Sequence, residues 1–258
     1  MSFLPTSNPT PAGAGGFLGG LQAIIKGINE ASAALGVFAE ANKTGLATAT
    51  GDVPTTDSYS AAGVKGVTAD NLAAINDALA SDAVKGTSAD TPAEIQAIVD
   101  AYNKVLAAAD GNATDNSTGA AIASKEDYAA IGVAGTTDAS AALLSDVVDG
   151  LAATAVDTVA ELQALADAAK AAVEYKGEAG QTAPTAEQLN AIAGGAGVTA
   201  DNLAAVQAAV AAANADADGK PVTQAELQAI IKAISDAAAG IGQFAQDNST
   251  GLANATGT

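Results

Sequence analysis

Apolar residues recur along this chain at spacings of three and four positions, and one such helical pattern occurs four times. In residues 223–234, the apolar positions on one helical face are Leu227, Ile230, Ile231 and Ile234. Thr223 precedes them as an N-cap, and Glu226 completes a capping box three positions later. Copies of this signature helix occur at residues 91–99, at 158–165 and, without the Thr and the Glu, at 21–28. The pattern predicts an all-α protein.

Three of the four signature helices close a longer unit. The first part of each unit is a short helix that ends near a glycine, at residues 59–64, 128–133 and 189–198. The second part is a helix capped by Thr or Asp, at residues 68–75, 137–144 and 199–206. Because the units recur every 65–69 residues, the sequence predicts an Ala-rich helical repeat array, with about three three-helix units and an extra N-terminal helix.

This periodicity divides the chain into five predicted segments. An extended Pro/Gly-rich arm covers residues 1–16, and an N-terminal helix with its tail covers 17–55, the helix itself at 17–41. The three helical repeats follow at residues 56–123, 124–183 and 184–258.

The end of the chain repeats its beginning. Residues 227–257 align with residues 21–51, and about 20 of the aligned positions are identical. One interpretation is a duplication without functional consequence, since repeat arrays grow in this way. The other is that the end of one subunit continues into the beginning of the next, because a head-to-tail contact that does not close produces a filament.

Composition excludes several functions. The formal net charge of −19 argues against binding to nucleic acid or to anionic membranes. Without His or Cys there is no imidazole base, thiolate or usual zinc site, so we expect no enzyme. Asp146 and Asp149 are predicted to mark the solvated face of a helix. Aromatic residues make up only 3% of the chain, and the tyrosines are predicted to fill gaps in an alanine-rich core.

No apolar run is long enough for a transmembrane helix, and residues 1–11 lack the features of a cleavable secretory signal.

One loop has the spacing of a calcium site. Asn214, Asp216 and Asp218 alternate before Gly219, as in the front half of an EF-hand loop, and the following acid is Glu226. These residues predict calcium as a cofactor, although Glu226 comes one position later than the motif requires. The alternative is an acidic turn between helices in which Glu226 serves only the capping box.

Three segments carry a resemblance to a known class of proteins. They are residues 93–106, 128–133 and 199–206. They resemble the short helical repeats of large bacterial surface adhesins and biofilm matrix proteins, many of which leave the cell by type I secretion. The resemblance covers residues 56–247. It implies an extracellular or cell-surface location, a structural or adhesive role, and calcium binding.

Together these features predict an extracellular structural protein that self-assembles head-to-tail into a surface filament or biofilm matrix fibre. The partner is then another copy of the same chain. The alternative is a monomeric calcium-binding adhesive module that recognises a surface ligand. A third interpretation is an ice- or surface-binding helix array.

Overall fold

The computed structural model describes residues 14–112, 123–195, 197–216 and 222–248. Over these residues the chain forms ten α-helices and no strand, so the predicted all-α class is confirmed. The helices are α1 Ala14–Ala41, α2 Thr56–Ala61, α3 Leu72–Leu79, α4 Pro92–Ala108, α5 Lys125–Ala130, α6 Asp138–Asp149, α7 Val159–Glu174, α8 Ala186–Ile192, α9 Leu203–Asp216 and α10 Gln224–Asp247. Helix α1 begins three residues before the expected start at Phe17.

The signature helices begin as the sequence predicts. Helices α4, α7 and α10 each start with a complete capping box, formed by the pairs Thr91 and Glu94, Thr158 and Glu161, and Thr223 and Glu226. In each pair the Thr hydroxyl accepts the backbone N–H of the Glu, and the Glu carboxylate accepts the backbone N–H of the Thr. Two N–H groups that lack a partner within the helix are thereby satisfied.

The predicted threonine caps of the second helices are correct only for α6, which Thr137 caps. Helix α3 starts at Leu72, four residues after Thr68, because Asn71 folds the chain into a turn: its Oδ1 accepts the Thr68 N–H at 2.7 Å. Before α9, the amide of Asn202 accepts the Thr199 N–H in the same way.

Glycines with positive φ follow the first helix of each unit. Gly63 has φ 76° and Gly132 has φ 99°, as expected for left-handed C′ caps. In the third unit this conformation occurs at Gly194, rather than at Gly197 as the sequence pattern indicated.

Three tyrosines fill the core between alanines, as predicted. Tyr59, Tyr102 and Tyr128 are fully buried, and each hydroxyl has a partner. Tyr175 differs, because it is partly exposed just after α7 ends.

Helices α4 and α7 each connect one unit with the next. Helix α4 packs on α3 before it and on α5 and α6 after it, and α7 packs on α6 before it and on α8 after it. Helix α1 packs on elements that follow it, chiefly α2 and the 3₁₀ turn Gly86–Ser88, whereas α10 packs on α9 and α6, which precede it. Along the described ranges, no helix has the length and hydropathy to cross a bilayer.

Candidate interface at the terminal helices

The first half of α1, residues 14–28, carries an apolar face that the rest of the described chain leaves uncovered. Its exposed large side chains are Phe17, Leu18, Leu21, Ile24 and Ile25. A helix of a soluble protein normally buries such a face against its own core. This half of α1 is therefore a candidate for contact with another molecule.

The second half of α1, residues 30–41, is packed. Leu35, Phe38 and Ala39 are buried, with Phe38 at 7% exposure. Helix α1 packs chiefly on α2 and on residues 86–90, which we call the acceptor surface. Asn42 follows the helix, and its side chain donates to the Phe38 carbonyl at 2.9 Å and accepts the Thr50 N–H at 2.6 Å. These contacts join the end of α1 to the tail that follows it.

Helix α10 has the opposite distribution. In its first half, residues 224–234, Leu227 and Ile231 are buried. In its second half, residues 236–247, Ile241 is 72% exposed and Phe244 is 36% exposed. Each terminal helix is thus packed along half its length. The exposed half is the first half in α1 and the second half in α10.

The two helices correspond residue by residue with an offset of 206 positions. The buried apolar residues of the second half of α1 and their exposed counterparts in α10 are Leu35 and Ile241, Phe38 and Phe244, Ala39 and Ala245. Two positions that are apolar in α1 and polar in α10 are exposed in both helices: Val37 corresponds to Gln243, and Ala41 to Asp247. The buried Ser32 corresponds to the exposed Ala238. The apolar face that α1 buries is therefore present and uncovered on α10.

One glycine shows how closely α1 approaches the acceptor surface. A Cβ added at Gly36 would lie 2.9 Å from both the Asp90 Cβ and the Gly86 carbonyl oxygen. Only glycine fits at that distance. The counterpart in α10 is Gly242, where an added Cβ would meet nothing within 4 Å.

In each unit, a glutamine of the signature helix forms hydrogen bonds with the backbone just after the end of the unit's first helix. Gln96 accepts the Lys65 N–H at 2.8 Å and donates to the Lys65 carbonyl at 3.0 Å. Gln163 makes the same pair of bonds to Ala134, and Gln228 donates to the Ala193 carbonyl. The sequence analysis assigned no role to this glutamine. Its recurrence at one position of the signature helix is the feature that could have indicated one. The corresponding residue of α1, Gln22, is exposed.

Carboxylates of the second helices lie at the start of the signature helix of the following unit. Asp77 accepts the Val159 N–H at 2.8 Å, at the start of α7. Asp146 lies near the Gln224 backbone N–H at the start of α10. Burial raises the pKa of Asp146, the Gln224 N–H opposes the rise, and the nearby Asp149 adds to it.

The interpretation of Asp146 and Asp149 as a solvated face is wrong. Asp149 is 3% exposed and Asp146 is partly buried, because both lie on the side of α6 that faces other helices. The Asp149 Oδ1 is buried without a hydrogen-bond partner among the described residues.

Two of the four predicted calcium ligands form hydrogen bonds with the protein backbone. The amide of Asn214 is buried and donates to the carbonyls of Ala172 and Tyr175 at 2.7 and 2.8 Å. The Glu226 carboxylate accepts the Thr223 N–H at 2.8 Å.

The other two predicted ligands are not brought to a described site. Asp216 is the last residue of α9, and Asp218 lies outside the described residues. Within the described ranges, no group of three or more acidic side chains is placed to hold a metal ion. The calcium site stays a prediction.

Comparison with known proteins adds no relative. No protein-family model matches the chain, and neither a curated protein nor a solved structure matches it.

Proposed function

We propose that this chain is a structural protein that joins head-to-tail with copies of itself to form a surface filament or matrix fibre. The observation that carries the proposal is the pair of half-packed terminal helices. Among the described residues, the first half of α1 and the second half of α10 have exposed apolar side chains. An adjoining copy that covered one of these halves would supply the packing that it lacks.

The internal helices support this assembly mode. Helices α4 and α7 each pack on helices of their own predicted unit and on helices of the unit that follows. A terminal helix that bridged two molecules would repeat this arrangement. The contact joins two different surfaces, so it does not saturate after one partner has bound, and repeated addition produces an open filament.

The location we propose is extracellular or at the cell surface. The resemblance of residues 56–247 to helical repeats of bacterial adhesins and matrix proteins supports this location. A net charge of −19 is also compatible with a solvated matrix polymer, because like charges keep separate fibres apart.

Assembly can be tested with the full chain by sedimentation velocity over a range of concentrations, together with negative-stain electron microscopy. We expect a concentration-dependent series of oligomers and unbranched filaments. A chain that remains monomeric at the highest accessible concentration would refute the proposed function.

A matched pair of variants tests whether the open face of α10 is the contact. Ile241→Asp places a charge on that face, and we expect it to raise the concentration needed for assembly by about tenfold or more, since burying an unpaired charge is costly. Val37→Asp is the control: Val37 is 70% exposed and its counterpart in α10 is the polar Gln243. Equal effects of the two substitutions would indicate nonspecific repulsion.

A further inference from the structure

The acceptor surface has two candidate occupants with the same apolar face. The second half of α1 covers it within each molecule, and the second half of α10 carries matching residues that are exposed. The two cannot occupy the surface together. Any contact of α10 with the acceptor surface of a second copy therefore requires α1 of that copy to leave.

We propose that subunits join by helix exchange, in which the second half of α10 replaces the second half of α1 on the acceptor surface of the next copy. This inference rests on the proposed head-to-tail assembly and specifies its contact. Helix α10 then bridges two molecules as α4 and α7 bridge two units. Ile241, Phe244 and Ala245 take the places of Leu35, Phe38 and Ala39.

The exchange is sterically possible because α10 has a glycine where the acceptor surface admits no Cβ. At Gly36 an added Cβ would lie 2.9 Å from the backbone oxygen of Gly86. Gly242 occupies the corresponding position, so α10 can approach equally closely. Among the described residues of its own molecule Gly242 has no such neighbour, and a glycine in an exposed helix weakens that helix.

The direction of exchange follows from how firmly each helix is held at its first half. Helix α10 starts with the capping box of Thr223 and Glu226, and Gln224 donates to the Ile192 carbonyl at 3.0 Å. In α1 the positions that match the capping box are Phe17 and Gly20. Helix α10 therefore remains on its own unit, and α1 is the helix that is released.

The free energy of exchange does not come from additional apolar contacts, because one matched face replaces another. Before exchange, two helices are each ordered over a half that has little tertiary packing. After exchange, α10 is packed along its whole length and α1 is released from the constraint of packing. Because helices in water are marginal without tertiary contacts, the released segment gains conformational entropy.

The test compares alanine substitutions at three glycines of the full-length chain. For Gly242→Ala we expect the concentration required for assembly to rise by about tenfold or more, because the added methyl group overpacks the junction. Gly240→Ala is the matched control. A Cβ added at Gly240 also meets nothing within 4 Å among the described residues, and the counterpart of Gly240 in α1 is the exposed Ala34. We expect it to assemble within about twofold of the wild type, since an exposed alanine meets no neighbour at the junction.

Gly36→Ala should change the concentration required for assembly in the opposite direction. It weakens the hold of α1 on its own acceptor surface and leaves α10 unchanged, so we expect assembly at lower concentration than the wild type. Circular dichroism should show retained or increased helix content for Gly242→Ala and Gly240→Ala, because alanine favours helix over glycine.

Two results would overturn the inference in different ways. If the wild type assembles and Gly242→Ala assembles as readily as Gly240→Ala, the filament exists but is not formed by helix exchange. If the wild type does not assemble at all, the proposed function fails, and the exchange fails with it.

Discussion

Buried tyrosine hydroxyls depend on single polar partners in a core made mostly of alanine. The Tyr59 hydroxyl donates to the Asn76 Oδ1 at 2.6 Å, while the Asn76 amide donates to the Pro54 carbonyl at 2.8 Å. The Tyr128 hydroxyl lies 3.1 Å from the Ser145 Oγ, which also donates to the Ala123 carbonyl. Burial raises the pKa of both tyrosines, so the hydroxyls stay protonated.

The two tyrosines should respond differently to loss of the hydroxyl. Tyr59→Phe leaves the Asn76 Oδ1 buried without its donor, and we expect a loss of about 1–3 kcal/mol in the free energy of unfolding. Tyr128→Phe should cost about 1 kcal/mol or less, because Ser145 keeps its bond to Ala123. Urea denaturation followed by circular dichroism measures both. Equal losses would show that leaving the Asn76 Oδ1 without its donor adds no cost.

For single residues, the sequence predicted that tyrosines lie in the core, but it did not predict the hydrogen-bond partners of their hydroxyl groups. Asn76 and Ser145 are separated from their tyrosines by 17 positions. Which polar residue meets a buried hydroxyl depends on how two helices pack, and composition carries no information about that.

Capping boxes define where the bridging helices start, and this feature was readable from the chain. At α4, the Thr91 Oγ1 accepts the Glu94 N–H at 3.3 Å and the Glu94 Oε2 accepts the Thr91 N–H at 3.1 Å. Both partners lie within four residues, so local sequence is sufficient to specify the contact.

Removal of the cap at α4 should destabilise the whole array. We expect Thr91→Ala to lower the free energy of unfolding by about 1 kcal/mol, because the Glu94 N–H loses its acceptor. Thr91→Ser keeps a hydroxyl and should retain most of the stability. Thermal and urea denaturation distinguish them, and a Ser variant as unstable as the Ala variant would assign the loss to the threonine methyl group.

Helix identity was predictable at the scale of the element, but helix packing was not. The sequence shows that residues 21–51 and 227–257 are near copies. It does not show that one copy buries its second half and the other its first half. That difference depends on which neighbours each helix has, and only the folded arrangement provides them.

Charge should influence assembly at the scale of the whole molecule. Each copy carries a formal net charge of −19, so two copies repel each other as they approach. Added salt screens this repulsion, with a Debye length of about 10 Å at 0.1 M ionic strength. We therefore expect the concentration required for assembly to fall as NaCl is raised from about 0.02 to 0.3 M, as measured by light scattering.

A chelator should be present in this titration, so that calcium bound by the predicted loop at residues 214–226 cannot contribute. Assembly that weakens as salt is added would contradict the prediction and would indicate that ion pairs between subunits hold the junction together.

The sequence by itself determined the helical class, the capped starts of α4, α7 and α10, and the equivalence of the chain ends. These features depend on hydrogen bonds within one helical turn or on repetition, which local sequence fully specifies. Tertiary structure alone decided that α1 and α10 are each half-packed, that Gly36 meets the backbone of Gly86, and that Asp149 is buried. These outcomes depend on contacts between residues far apart in the chain, because burial is a property of neighbours rather than of the residue itself.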